Sequence, residues 1–150
     1  PVAANKPITA AIRLKGGDRK LRTGEKMEFE VTADAAGHAH CYMLDDNRKV
    51  LRIHPNRYSR NTYVGPDKPL TIPDSPKFSL VANAKGVDEV VECYLASKDL
   101  LNDVPPEIGK IDLMPLVGLI SLDQLRRTFE KTSQGPMTTV RFVIAGARRD

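Results

Sequence analysis

Apolar and polar residues alternate along this chain in short bursts broken by turn residues, a rhythm that belongs to β-strands. The clearest burst is Met27-Glu28-Phe29-Glu30-Val31-Thr32, which puts Met27, Phe29 and Val31 on one face of a half-buried strand. An earlier strand is predicted from Ile8 to Leu14, closed by the turn signal Gly16-Gly17-Asp18. Gly37 then opens an apolar run from His38 to Leu44. The turn chemistry of Asp45-Asp46-Asn47-Arg48 follows, and Val50 to Ile53 completes a hairpin. Between Pro55 and Pro76 the only short apolar run is Leu70-Thr71-Ile72, and the surrounding prolines, which have no N–H to give to a ladder, confine any strand here to a few residues or an edge. Phe78 to Ala82 and Val90 to Ala96, separated by Lys85-Gly86-Val87-Asp88, read as two strands and candidate neighbours. Pro105-Pro106 predicts a loop. After Ser121 the spacing of Leu122, Leu125 and Phe129 predicts one short helix, with Ser121 and Gln124 set as a capping box. Gly135-Pro136 ends that helix, and Thr139 to Ile144 supplies a final strand.

Seven or eight short strands with a single C-terminal helix predict a mainly β fold, an antiparallel sandwich with immunoglobulin-like layering. The chain has 150 residues, of which 41% are hydrophobic and 28% charged, enough for one core and too apolar for disorder. Residues 8–150 are therefore expected to form one domain. Residues 1–7, small and polar, read as a flexible tether, left by signal-peptide removal or by trimming. No apolar run reaches the roughly 20 residues that a transmembrane helix needs.

Charge is segregated along the chain. Arg13, Lys15, Arg19, Lys20, Arg22 and Lys26 cluster early, and the stretch from Arg48 to Arg60 contains no acidic residue. Asp88, Glu89, Glu92, Asp99, Asp103 and Glu107 form an acidic counter-block, with the last three expected in a solvated loop. Arg48, Arg52, Arg57, Tyr58, Arg60 and Tyr63 are the candidate partner-binding residues, because cations and exposed rings on a loop suit an acidic protein surface. The same mixture could contact phosphates and bases, but with no Trp, 5% aromatics and a net charge of +4 the chain is poorly equipped for nucleic acid.

His38 and His40 stand two apart, so a strand would project both imidazoles from one face, and His54 on the next strand could add a third donor. Such a set would favour zinc or copper. The alternative is packed or solvated histidines and no cofactor. Cys41 and Cys93 are the only cysteines, each on the inward face of a predicted strand. Two states stay open: an inter-sheet disulfide in an oxidising compartment, or two buried thiols acting as small hydrophobes. No nucleophile elbow and no phosphate-cradling glycine loop is present, and the chain is expected not to be an enzyme.

Several elements recur together between Thr23 and Ser97. Gly24-Glu25-Lys26 leads into the alternating strand, Gly37 opens an aromatic-apolar strand ending at Asp45, and Val50 to Ile53 leads into Pro55-Asn56. Leu70-Thr71-Ile72-Pro73, Phe78-Ser79-Leu80 and Cys93-Tyr94-Leu95-Ala96-Ser97 complete the set. In this pattern the chain resembles the bacterial family designated domain of unknown function 4384. The resemblance departs at His38, His40, Cys41 and His54, where that pattern favours large aromatic and aliphatic residues or lacks the histidine. It implies an accessory β module of bacterial envelope proteins, without assigned catalytic residues. The expectation is thus a non-catalytic, protein-binding module, periplasmic or otherwise exported, with a partner in the cell envelope. The alternatives are a cytoplasmic location, a transition-metal-binding protein or a self-assembling structural domain.

Overall fold

The computed structural model describes residues 7–17, 20–83, 85–118 and 120–146. The expected tether, Pro7 apart, lies outside the described residues, as do Asp18 and Arg19. The described residues form β1 (Ala10–Leu14), β2 (Lys26–Met27), β3 (Phe29–Ala33), β4 (Gly37–Leu44) and β5 (Val50–His54), followed by β6 (Tyr63–Val64), β7 (Leu70–Ile72), β8 (Leu80–Val81) and β9 (Glu89–Ala96). Helices α1 (Pro106–Gly109) and α2 (Leu122–Ser133) precede β10 (Thr138–Ile144).

These strands make three antiparallel sheets. The central one runs β10-β9-β4-β5, with β6 also pairing β4; a second runs β1-β3-β7, and β2 pairs β8. The long central strands are organised by their alternation. Ala39, Cys41 and Met43 of β4 and Val91, Cys93 and Leu95 of β9 join Phe29, Val31 and Ile72 of the second sheet in one core. Tyr42, Val90, Tyr94 and Ala96 enter a second core with Leu100, Ile108, Leu122, Leu125 and Phe129. All eight residues of β9 are buried, as expected of a strand covered on both faces.

The β character expected from the sequence is therefore present, but the immunoglobulin-like pair of sheets with one helix is not the arrangement formed. The second face of the central sheet carries Tyr42 and Tyr94, which need a cover, and α2 provides it. Tyr94 stacks on Phe129 at a centroid distance of 5.2 Å, and the Tyr94 hydroxyl, whose proton goes to Glu92, lies 3.1 Å from the Leu122 carbonyl. The α2 N-terminus forms the capping box: Gln124 N–H donates to the Ser121 hydroxyl at 3.1 Å, and Ser121 N–H donates to Gln124 Oε1 at 2.8 Å.

Two local expectations are corrected. Pro105-Pro106 does not simply break the chain: Pro106 begins α1, where its missing N–H costs no helical hydrogen bond. The strands expected as neighbours on either side of Gly86 are not paired, since β8 joins β2 while β9 lies between β10 and β4. Among the described residues no helix is long and apolar enough to cross a membrane.

Candidate functional site

The middle of β5 carries a buried cation. Arg52 pairs with Tyr42 of β4, and its side chain is only 5% exposed. Its guanidinium has no carboxylate at salt-bridge distance among the described residues. Instead Nε–H donates to the Pro55 carbonyl at 2.8 Å, and Nη1 donates to the carbonyls of Ile108 at 3.2 Å and Gly109 at 3.0 Å. One cation thus fastens the loop after β5 to α1, a segment more than fifty positions away in the chain. Tyr42, close by, has a buried hydroxyl that meets no well-aligned hydrogen-bond partner among the described residues; burial pushes it up to about 12, and the charge and proximity of Arg52 temper the rise.

The loop that follows is built around Asn56. Its Nδ2 donates to the Ile53 carbonyl at 2.9 Å, while its Oδ1 accepts from Tyr58 N–H at 2.8 Å and Ser59 N–H at 3.1 Å. This Asx turn sets the backbone for Arg57, whose amide donates to Asp112 Oδ2 at 2.6 Å and whose Nη2 donates to Asp112 Oδ1 at 2.8 Å. Burial opposes ionisation of Asp112, but the hydrogen bonds from Arg57 outweigh it and hold the carboxyl below its ordinary value.

These segments frame a cleft of about 380 Å³ between the loop after β5, the turn after β9 and the residues following α1. Arg52, Arg57, Arg60 and Lys110 line it, with Asp99 and Asp112. Arg60 and Lys110 are exposed and have no ion pair among the described residues. Asp99 is anchored from behind. His40, fully buried, brings Nε2 to 3.0 Å from Asp99 Oδ1, and Leu101 N–H donates to the same oxygen at 2.9 Å. The hydrogen bond with His40 is the main cause that pulls the Asp99 carboxyl down to about 2.

Of the six candidate contact residues, Arg52, Arg57 and Arg60 meet at this cleft, Arg52 as its buried floor rather than as a free cation. Arg48 lies beyond the other end of β5, where its Nη1 donates to the Asp88 carbonyl at 2.8 Å. Tyr63 is half-buried and edge-on to His38 at 6.1 Å. Tyr58 remains 44% exposed on the loop. Lys110 and Asp112 carry no local pattern that marks them as site residues, and Asp99 is exposed in the turn after β9, as Asp103 and Glu107 are beyond it, while also being held by His40. Glu89 and Glu92 of the acidic counter-block are buried, each being 3% exposed. Glu89 accepts from Asn83 at 2.8 Å and Glu92 from the Tyr94 hydroxyl at 2.9 Å.

The three histidines are each occupied separately. His38 Nδ1 is 2.8 Å from the Thr62 hydroxyl. His40 Nδ1 faces the Tyr94 carbonyl at 3.3 Å, and Leu100 N–H reaches its Nε2 at 3.2 Å. His54 donates from Nε2 to the Asn61 carbonyl at 2.7 Å, which leaves its buried Nδ1 without a partner among the described residues. Among the described residues no group of three or more His, Cys, Asp or Glu is placed to hold a metal ion. Cys41 and Cys93 are bonded, with Cα atoms 4.0 Å apart. The bond joins directly opposed residues of β4 and β9 within one sheet, so the inter-sheet bridge among the sequence expectations is not the pairing formed.

A β-rich domain with its central strands buried on both faces, and a cleft floored by a buried arginine held on backbone carbonyls, is the class these features define. The chain belongs to the bacterial family described as Domain of unknown function (DUF4384), whose pattern matches residues 20–99. That span contains Arg52, Arg57, Arg60 and Asp99, while Lys110 and Asp112 come from the chain after it. No curated protein and no solved structure matches the chain.

Proposed function

We propose that this domain is a non-catalytic accessory module of an exported or envelope-associated bacterial protein, and that it engages a protein partner through the loop 55–60 and the segment 109–112. The observation that carries this reading is the way a basic surface is held in place. Arg52, Asn56 and Asp112 fix the backbone that presents Arg57, Tyr58 and Arg60, so little ordering entropy is lost when a partner docks. The Cys41–Cys93 bond supports a location outside the reducing cytosol, the periplasm being the natural one.

A photo-crosslinking residue at position 58, introduced in the full-length protein in its native host, tests the assignment. Tyr58 is exposed at the loop tip, whereas Thr32 is exposed on the separate β1-β3-β7 sheet and serves as the control position. A discrete protein adduct from position 58 that is missing from position 32 is the expected result. Adducts from position 32 alone, or none from either, would remove this face from the account.

A further inference from the structure

Arg52 is a charged group taken almost wholly out of water, and such a group is costly unless its charge is balanced. Its three hydrogen bonds use the Nε proton and both Nη1 protons, and all go to neutral carbonyl oxygens. The Nη2 group reaches no carbonyl or carboxylate among the described residues, and the side chain that Arg52 does approach, the Tyr42 hydroxyl, is neutral as well. Nη2 is also not one of the fully enclosed atoms there without a well-aligned partner, which are the Tyr42 hydroxyl and His54 Nδ1. The cleft that Arg52 floors holds four cations and two carboxylates. Those carboxylates are already engaged, Asp112 by Arg57 and Asp99 by His40 and the Leu101 amide. Four cations against two carboxylates leave the cleft with an excess of two positive charges: Asp112 acts on Arg52 as well as pairing with Arg57, while Arg60 and Lys110 have no ion pair among the described residues.

We infer that this cleft binds carboxylate side chains, and that the segment of the partner it takes is acidic, with Arg52 receiving one carboxylate at the floor and Arg60 and Lys110 holding others at the rim. The inference rests on the protein-binding reading above and specifies the chemistry of the partner. A carboxylate suits the site better than a phosphate. Attraction to the four cations and repulsion by Asp99 and Asp112 both grow with an anion's charge, so charge alone does not choose between the two. The backbone decides: the groups aimed at Arg52 are carbonyls, not the converging N–H groups by which phosphate sites are usually built. A volume of about 380 Å³ admits one or two acidic side chains with their stems.

Amide chemical shifts of the isotope-labelled chain, titrated with a hexaglutamate peptide and separately with inorganic phosphate, test this. Hexaglutamate should move the resonances of residues 55–60 and 109–112 saturably, with an affinity that falls as salt rises. The exposed rim double variant Arg60→Glu/Lys110→Glu should weaken binding by at least about tenfold with an unchanged fold. Arg52→Lys keeps the charge but loses the planar fork, and should weaken binding too; should it not fold, the rim variant alone decides. Absence of saturable shifts, or binding unaffected by the rim variant, overturns the inference, and phosphate bound as tightly as hexaglutamate overturns the choice of carboxylate. A position-58 adduct obtained together with a failed hexaglutamate titration would leave the docking face standing and remove only its acidic ligand. Failure of the adduct with successful titration would do the reverse.

Discussion

At the scale of single residues, His54 makes the sharpest claim about conditions. Burial is the leading cause that lowers its pKa from 6.5, partly opposed by the bond to the Asn61 carbonyl, so the folded protein holds it neutral. The unfolded chain then binds the extra proton more readily. The stability that this group contributes is complete above about pH 6.5 and is lost as the pH falls from there through the lower folded value. His38 shifts in the same direction, with burial again the largest cause, so the two slopes add. We expect His54→Gln, which keeps an N–H for Asn61 but does not titrate, to flatten the dependence of the urea midpoint on pH between about 7.5 and about 5 without abolishing it. An identical slope in wild type and variant would mean that His54 is protonated equally in both states. Little of this was legible in the sequence. His38, His40 and His54 stood out as residue types, and Arg52 stood out within a run of cations. What each does depends on partners distant in sequence: Asp99 lies 59 positions from His40, and the Gly109 carbonyl 57 from Arg52. No local spacing encodes those distances.

Elements were legible where their determinants are local. Alternation marked Met27, Phe29 and Val31, all of which are buried, and the hairpin of β4 and β5 followed from the turn chemistry at Asp45, whose Oδ1 accepts from both Asn47 and Lys49 amides. The start of α2 was legible for the same reason, since a capping box lies within four residues. Removing it offers a clean test of element stability. Ser121→Ala leaves the Gln124 N–H without its acceptor at an exposed position, and should cost about 1 kcal/mol, read as a lower urea midpoint with an unchanged slope. Because α2 covers Tyr94 and Tyr42, the loss should register in global unfolding rather than as fraying alone; an unchanged midpoint would show that α2 is held by packing alone. Pairing was less legible than existence. Val90–Ala96 lies wholly within β9, whereas only Leu80–Val81 of the Phe78–Ala82 segment forms a strand, and adjacency in sequence suggested a partnership that the fold does not use. Strand choice is decided by which apolar faces must be covered, and β9 has two.

For the whole molecule, that doubly buried sheet explains why the second layer escaped the sequence reading. The Val90–Ala96 run includes Glu92, which reads as an outward position on a one-sided strand, yet Glu92 is buried and satisfied by Tyr94, with Arg141 of β10 at 3.7 Å. Once a charged residue can be accommodated inside, alternation no longer tells a solvated face from a helix-covered one. The Cys41–Cys93 bond joins the two central strands of this sheet on the face packed into the first core, so it cross-links the part of the molecule on which the other layers are assembled. Its sequence separation of 52 residues closes a long loop in the unfolded chain, and such a constraint contributes about 2 to 4 kcal/mol. Denaturing alkylation without reductant should label neither cysteine, and after reduction both. The variant Cys41→Ala/Cys93→Ala should unfold at a markedly lower urea concentration, and Cys41→Ala alone should lose nearly as much, because either substitution removes the whole bond while deleting only one buried sulfur. Two alkylated thiols in the unreduced protein would dissolve both the stability argument and the support that the bond lends to an exported module, leaving the cationic cleft to be judged by its partner alone.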